Sequence, residues 1–171
     1  MLLVPIGPVA PQTLEWLRDE LASALSLPAT IGAAVPLPST GYNPRRGQYV
    51  GEAMLEVLRL VPGPAARVLG LTDVDCYAPG LNFIFGQAVL NGREAFVALP
   101  RLRPSFYGLS EEETLFRQRL LKEAVHELGH TWGLGHCPDP SCVMHFSNTL
   151  HDTDVKGATF CMRCQRMLRD R

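Results

Sequence analysis

The stretch that decides the interpretation of this sequence is His126-Glu127-Leu128-Gly129-His130-Thr131-Trp132-Gly133-Leu134-Gly135-His136. Residues four positions apart share one face of a helix, so the imidazoles of His126 and His130 can reach the same metal ion. Gly133 permits a sharp turn after the helix, and that turn returns His136 to the same place as a third ligand. Three protein ligands leave a fourth position open for water, which distinguishes a catalytic zinc site from a structural one.

Glu127, next to the first histidine, is the predicted general base of this site. Zinc lowers the pKa of a bound water toward about 7, and a neighbouring carboxylate can take the proton and pass it to a leaving amine. The alternative is that the motif falls by chance on a helix whose histidines are ordinary polar groups. The register of Gly133 and His136 favours the metal site over that alternative.

Two cysteine pairs follow the third histidine, Cys137 with Cys142 and Cys161 with Cys164. These C-x4-C and C-x2-C spacings are typical of a closed zinc site with four thiolate ligands, which would be structural. The alternative is a set of free or disulfide-linked cysteines. The sequence thus predicts two zinc ions per chain, and we expect the remaining cysteine, Cys76, to be a small buried residue.

The H-E-x-x-H-x-x-G-x-x-H motif with its adjoining cysteines resembles the archaemetzincins, within the metzincin zinc peptidases. In that clan a methionine in a tight turn forms a floor under the zinc site, and Met144 is the matching residue. The resemblance implies a single-domain, archaeal, cytosolic peptidase with one catalytic and one structural zinc ion. Residues 1–171 would form one catalytic domain, with an upper part (1–133) and a lower part (134–171) that carries His136, Met144 and the cysteines.

The hydrophobic pattern favours an α/β (α+β) fold that contains a mixed sheet with one antiparallel hairpin. The resemblance implies that this mixed twisted sheet has one antiparallel edge strand and packs on the active-site helix. A small zinc-braced C-terminal part would follow. The predicted strands are Leu2–Ile6, Thr30–Leu37, Arg67–Asp75, Asn82–Leu90 and Glu94–Leu99, and the predicted early helices are Pro11–Leu25 and Tyr49–Leu60. Residues 39–47 are predicted to be a loop. Pro5 weakens the first strand prediction, because proline cannot donate to a central ladder.

The active-site helix is predicted to begin at Ser110, which forms a capping box with Glu113, and to end at Gly133. Its apolar stripe would consist of Leu121, Val125, Leu128 and Trp132. Asn91-Gly92-Arg93 indicates a hairpin between the last two strands. The resemblance also implies that an extended substrate pairs with the edge strand, which by position is Asn82–Ala88, although a plain core strand is the alternative.

The length, charge and composition limit the classes of protein to which this chain can belong. A chain of 171 residues with a formal net charge of −1 has no global field that recruits nucleic acid or anionic lipid. It contains no run of the ~20 apolar residues that a membrane span needs, and its opening residues lack a signal-peptide pattern. The expected location is the cytoplasm. We expect a monomer that acts on a peptide or protein substrate.

Two rival functions remain open at this point: a zinc-stabilised interaction module, and a metal hydrolase that acts on something other than peptides. Glu127 argues against the module, since a scaffold has no use for a carboxylate beside an open zinc position. The remaining polar residues are assigned no part in catalysis or metal binding. Asp73 and Asp75 are assigned to a strand end, His145 and His151 to solvent or turn capping, and Arg163, Arg166, Arg169 and Arg171 to a solvated surface.

Overall fold

The computed structural model describes residues 1–169. Two short 3-10 helices, Pro100–Leu102 and Pro104–Tyr107, precede the long third α-helix. The strands and α-helices are, in chain order, β1 (Leu2–Ile6), α1 (Pro11–Leu25), β2 (Thr30–Ile31), β3 (Tyr42–Asn43), β4 (Gln48–Val50), α2 (Gly51–Arg59), β5 (Val68–Thr72), β6 (Cys76–Tyr77), β7 (Gly86–Ala88), β8 (Glu94–Ala98), α3 (Glu113–Thr131), α4 (Leu150–Val155) and α5 (Met162–Arg169).

The main sheet has five strands in the order β2-β1-β5-β8-β7. Four of them run parallel, and β7 pairs antiparallel with β8 at one edge. The predicted mixed sheet with a single antiparallel edge strand is therefore confirmed. A second sheet of three short strands, β3-β4-β6, lies beside it and was not predicted.

Side chains on the two faces of the main sheet enter two apolar clusters. Leu3, Leu69 and Val97 pack with α1 and α3 on one face, whereas Val4 and Phe96 pack with α2 on the other. All five are fully buried, and burial of each such side chain stabilises the fold by about 1.5–3 kcal/mol. The sheet thus fixes α3 along its length and brings the end of that helix to the β7 edge.

The strand β1 forms in the interior of the sheet although it contains Pro5. The Pro5 carbonyl accepts a hydrogen bond from the Val35 amide (2.9 Å), on the side of β2. In a parallel strand the nitrogen and carbonyl of one residue face the same neighbour, so the missing N–H falls on that side and the ladder to β5 stays intact. The predicted second strand is too long. Only Thr30–Ile31 pair as a strand, and Val35 returns as an isolated bridge to Ile6.

Several predicted boundaries are also wrong. The third strand is Val68–Thr72 rather than 67–75, the helix after the predicted loop begins at Gly51 rather than Tyr49, and the edge strand is reduced to Gly86–Ala88. Part of the predicted 39–47 loop forms β3, which pairs with β4. These segments carry too little period-2 alternation to fix their ends. β3 and β4 form a local hairpin in which Asn43 lies opposite Gln48.

The predicted capping box at Ser110 is wrong. Residues 110–112 are not helical, and α3 begins at Glu113 without a side-chain cap. A capping box occurs instead at α4, where Thr149 and Asp152 exchange side-chain and backbone hydrogen bonds. The predicted stripe of α3 is partly correct, because Val125 and Leu128 are buried, but Leu121 and Trp132 are only half-buried.

An ion pair attaches α3 to the C-terminal segment. The Arg119 guanidinium donates to both Asp154 oxygens (2.6 and 2.7 Å) and to the Leu102 carbonyl (3.1 Å), and its side chain is 8% exposed. Arg117, two residues earlier on the same helix, pairs with Glu113 at 2.7 Å on the surface. The two arginines therefore provide a matched comparison of a buried and an exposed pair.

We expect Arg119→Met to lower the free energy of unfolding by about 2–3 kcal/mol, because it leaves a partly buried carboxylate and a buried carbonyl without their donor. Arg117→Met should cost less than about 0.5 kcal/mol, as surface pairs do. Denaturant unfolding of the three proteins measures both values. Equal losses from the two variants would contradict the role given to Arg119.

Candidate metal centre and active-site cleft

The last turns of α3 hold two imidazoles in fixed orientations. The Nδ1 of His126 lies 2.7 Å from the Val143 carbonyl, and the Nδ1 of His130 lies 2.7 Å from the Leu134 carbonyl. A carbonyl only accepts, so each Nδ1 carries the proton and each Nε2 presents a lone pair. The two Nε2 atoms are 3.1 Å apart.

The third imidazole returns to the same point after a tight turn. Gly133 adopts a left-handed conformation (φ 77°), which glycine tolerates best. The His136 ring centroid then lies 5.4 Å from that of His126 and 4.9 Å from that of His130. One nitrogen from each of the three rings falls within 4.8 Å of the others.

This arrangement fits a zinc ion. Two nitrogens bound to one tetrahedral zinc at about 2.0–2.1 Å stand roughly 3.3 Å apart, close to the separation of the two Nε2 atoms. Two lone pairs that face each other without a proton between them repel unless a cation lies there. Burial lowers the pKa of all three imidazoles, and most strongly that of His126, so they stay in the neutral form that binds metal.

Glu127 lies directly beside these rings and against the edge strand. Its side chain is buried, and burial raises the pKa of its carboxyl well above the ordinary value, with the nearby Glu123 carboxylate adding to the effect. A Cβ atom at Gly86 would lie 2.7 Å from both Cγ and Oε1 of Glu127. The absence of a side chain at Gly86 therefore lets β7 approach the carboxylate closely.

Met144 packs beneath the helix that carries the histidines. It is fully buried, and its sulfur occupies the space that a Cβ at Gly129 would need. The Met144 carbonyl accepts a hydrogen bond from the Cys137 amide (2.8 Å), and this bond connects the turn to the segment after His136. Met144 therefore lies against the helix that carries His126 and His130.

The four cysteines after His136 converge on a second point. The Sγ atoms of Cys137 and Cys161 are 3.8 Å apart, and those of Cys142 and Cys164 are also 3.8 Å apart. Two thiolates at about 2.3 Å from one tetrahedral zinc are roughly 3.8 Å apart, whereas a disulfide needs about 2.05 Å. The amide N–H of Cys164 lowers the pKa of the Cys161 thiol to about 7, which favours the thiolate.

Most of the residues that were assigned no part in catalysis or metal binding lie in the environments that we expected. Cys76 is fully buried, and burial raises the pKa of its thiol to about 12. Asp75 pairs with Arg101 through two contacts of 2.7 Å. His151 is exposed, as are three of the four C-terminal arginines, and Arg171 lies outside the described residues. His145 differs from the expectation: it is half-buried, and its Nδ1 lies 3.0 Å from the Cys137 carbonyl.

Sequence reasoning missed a buried ion pair behind the histidines. The Lys156 ammonium lies 2.9 Å from Glu123 Oε1, and the two side chains are 0% and 3% exposed. The same ammonium is 3.5 Å from His126 Nδ1. One signal was present, since Glu123 precedes Glu127 by four residues and shares its helix face. Nothing in the local sequence marks Lys156, because it comes from a separate segment after α4.

A cavity of about 640 Å³ opens in front of these groups. Its lining includes the edge strand with the residues before it and the segment 146–148. The lining also includes Glu123, His126, Glu127 and His130 from α3, and His136 from the segment after it. Within residues 1–169, no helix is long and apolar enough to cross a bilayer.

Comparisons with known proteins agree with this geometry. The family model described as peptidase family M54 matches residues 19–170. An archaemetzincin from Methanopyrus kandleri is 52% identical over 132 residues, which cover 77% of this chain and 72% of the relative.

Solved structures show the same fold. The crystal structure of archaemetzincin from Methanopyrus kandleri superposes with a TM-score of 0.87 at 42% identity and covers 99% of this chain and 92% of that one. A zinc-dependent peptidase from Methanocorpusculum labreanum gives a TM-score of 0.88 at 29% identity, with 98% of both chains covered. The predicted resemblance and fold class are confirmed, and the chain belongs to peptidase family M54, the archaemetzincins, which makes it a zinc metallopeptidase.

Proposed function

We propose that this metallopeptidase hydrolyses peptide bonds at the three-histidine centre, with Glu127 as the general base and His126, His130 and His136 as the zinc ligands. The observation that carries the proposal is the convergence of three neutral imidazoles and one buried carboxylate in the lining of a single cavity. Membership of a peptidase family does not favour the interaction-module alternative.

A zinc ion held by these three histidines would supply a bound water of lowered pKa and would polarise the scissile carbonyl. The proton transfer itself is carried out by a side chain of the protein, Glu127. Glu127 accepts the proton from the attacking water and delivers it to the leaving amine. The carbonyls of Val143 and Leu134 keep the two helix imidazoles in the tautomer that binds metal.

The edge strand is proposed to dock the substrate as an added strand. The two residues that flank β7 set its register with β8. The Ala98 amide donates to the Phe85 carbonyl, and the Val89 amide donates to the Glu94 carbonyl. Alternation along an antiparallel pair then turns the amides and carbonyls of Gly86 and Ala88 away from β8, toward the open edge. An extended peptide can pair with these groups directly above Glu127.

The four cysteines are proposed to hold a second, structural zinc ion, which would brace the lower part of the domain (134–171) behind the catalytic ligands. Such a site requires reduced thiolates, and this supports a reducing compartment such as the cytoplasm. We further propose that the chain acts as a monomer, because the cleft draws every proposed ligand and base from a single chain.

The first prediction separates the base from the metal ligands. Glu127→Gln should keep zinc at near-native affinity but lose about 10²–10⁴ in hydrolysis rate, because the amide cannot accept the proton of water. His130→Ala should lose the histidine-bound zinc and the activity together. Zinc stoichiometry is measured beside hydrolysis of a peptide found in a library screen, with His151→Ala as the control that keeps both. Wild-type rates in Glu127→Gln would contradict the proposed mechanism.

The second prediction concerns the number and kind of metal sites. Elemental analysis should find up to two zinc ions per chain, and mild chelation should remove the histidine-bound ion first, since its site is open and lacks thiolates. Replacing Cys161 and Cys164 by serine should remove the other ion and lower the melting temperature. The matched variant Cys76→Ala should keep both ions. An unchanged melting temperature in the double serine variant under reducing conditions would rule out the structural role.

The third prediction tests strand docking. Ala88→Pro removes only an amide that faces the open edge, so the fold should survive while KM for an extended peptide rises about 3- to 10-fold through one lost hydrogen bond. Gln87→Pro is the matched control, because it removes a bond to β8 and should lower the melting temperature instead. If Ala88→Pro left KM unchanged, the substrate would not pair with this edge.

A further inference from the structure

The buried pair of Glu123 and Lys156 has no part in the proposed proton transfer, yet it lies within the active-site region. Two groups contact the same carboxylate oxygen of Glu123: the Lys156 ammonium at 2.9 Å and the Thr153 hydroxyl, which donates to Oε1 at 2.9 Å. Among residues 1–169, no hydrogen bond reaches the second oxygen, Oε2. A carboxylate buried to this extent is costly unless its oxygens find donors.

The position of Glu123 shows where a donor to Oε2 would come from. Glu123 lines the same cavity as the three histidines and Glu127, and it lies one helical turn before the base, at about 5–6 Å between Cβ atoms. Lys156 does not line the cavity; its ammonium lies behind the carboxylate, 3.5 Å from His126 Nδ1. A ligand in the cavity therefore meets the carboxylate before it meets the lysine.

The rest of the cavity is mostly apolar, but two of its lining residues, Gln87 and Ser147, carry a buried polar atom without a hydrogen-bond partner among residues 1–169. Among the lining residues, Glu123 and Glu127 are the only acids, and no lysine or arginine is present. The hydroxyl of Ser147 is buried and has no hydrogen-bond partner within residues 1–169. A bound side chain that is polar would satisfy such atoms, whereas an apolar one would leave them unpaired.

We propose that Glu123 is a specificity-determining residue, which accepts a hydrogen bond from the substrate side chain next to the scissile bond. Because Lys156 neutralises its charge, the position selects an uncharged donor, an amide or a hydroxyl, over both an apolar side chain and a cation. The inference rests on the proposed zinc site. A site built around a buried polar group discriminates strongly against a ligand that leaves that group unpaired.

The test uses hydroxamates, which bind zinc without being cleaved, so the measurement does not depend on turnover. Three compounds differ only in the side chain next to the zinc-binding group, which is that of leucine, asparagine or lysine. Calorimetry on the zinc-loaded protein should find the asparagine compound at least about ten-fold tighter than the near-isosteric leucine compound, with the lysine compound weaker than the asparagine one. Acetohydroxamate, which has no side chain, is the control and should bind all variants equally.

Two variants give opposite shifts, which a purely structural role of the pair would not produce. The double variant Glu123→Leu with Lys156→Met should fold, because apolar residues of similar volume can replace a buried pair, and its preference should reverse toward the leucine compound. Lys156→Met alone leaves the carboxylate uncompensated, and the lysine compound should become the tightest. If that single variant does not fold, the double variant still decides the question.

Equal affinity of the wild type for the leucine and asparagine compounds would overturn the inference while the zinc site stands. An asparagine preference that persists in the double variant would do the same. Failure of all the hydroxamates to bind the zinc-loaded wild type would instead overturn the proposed zinc site, and the inference with it.

Discussion

The site depends on two short hydrogen bonds that fix which nitrogen of each helix imidazole is protonated. The Val143 carbonyl and the Leu134 carbonyl each bind an Nδ1 at 2.7 Å, so both Nε2 lone pairs must point into one space. Neither carbonyl belongs to α3: Leu134 follows the Gly133 turn, and Val143 precedes Met144. The helix alone therefore cannot form the site, and the segment after it must be in place.

Several contacts hold that segment on α3, and together they explain why buried charges are tolerated there. Arg119 and Glu123 on the helix pair with Asp154 and Lys156 from the region of α4. A proposed zinc ion on the four thiolates would fasten the same segment to α5. Each charged group has an opposite charge within hydrogen-bond distance, which offsets the cost of burial that an isolated charge would carry. The same pairs place a carboxylate in the cavity next to the base.

The sequence predicts well the features that depend on local spacing. The three histidines, the glycine turn and the cysteine pairs lie within short segments, and their geometry follows from helix periodicity and from glycine's conformational freedom. The mixed sheet and its antiparallel hairpin also follow from alternation and from the Asn91-Gly92 turn. Features that depend on distant contacts were missed. Lys156 reaches Glu123 across 33 positions of the chain, and β4 pairs with β6 across 27 positions, between Tyr49 and Cys76.

The central claim is that three neutral imidazoles meet at one zinc ion while the thiolates hold another. Anomalous diffraction from crystals of the zinc-loaded protein, recorded on both sides of the zinc absorption edge, tests this directly. The account predicts one peak at about 2.0–2.1 Å from nitrogens of His126, His130 and His136, and a second at about 2.3 Å from the four cysteine sulfurs. A peak at the histidines that is also bound by a fourth protein side chain, or no peak there at saturating zinc, would contradict it.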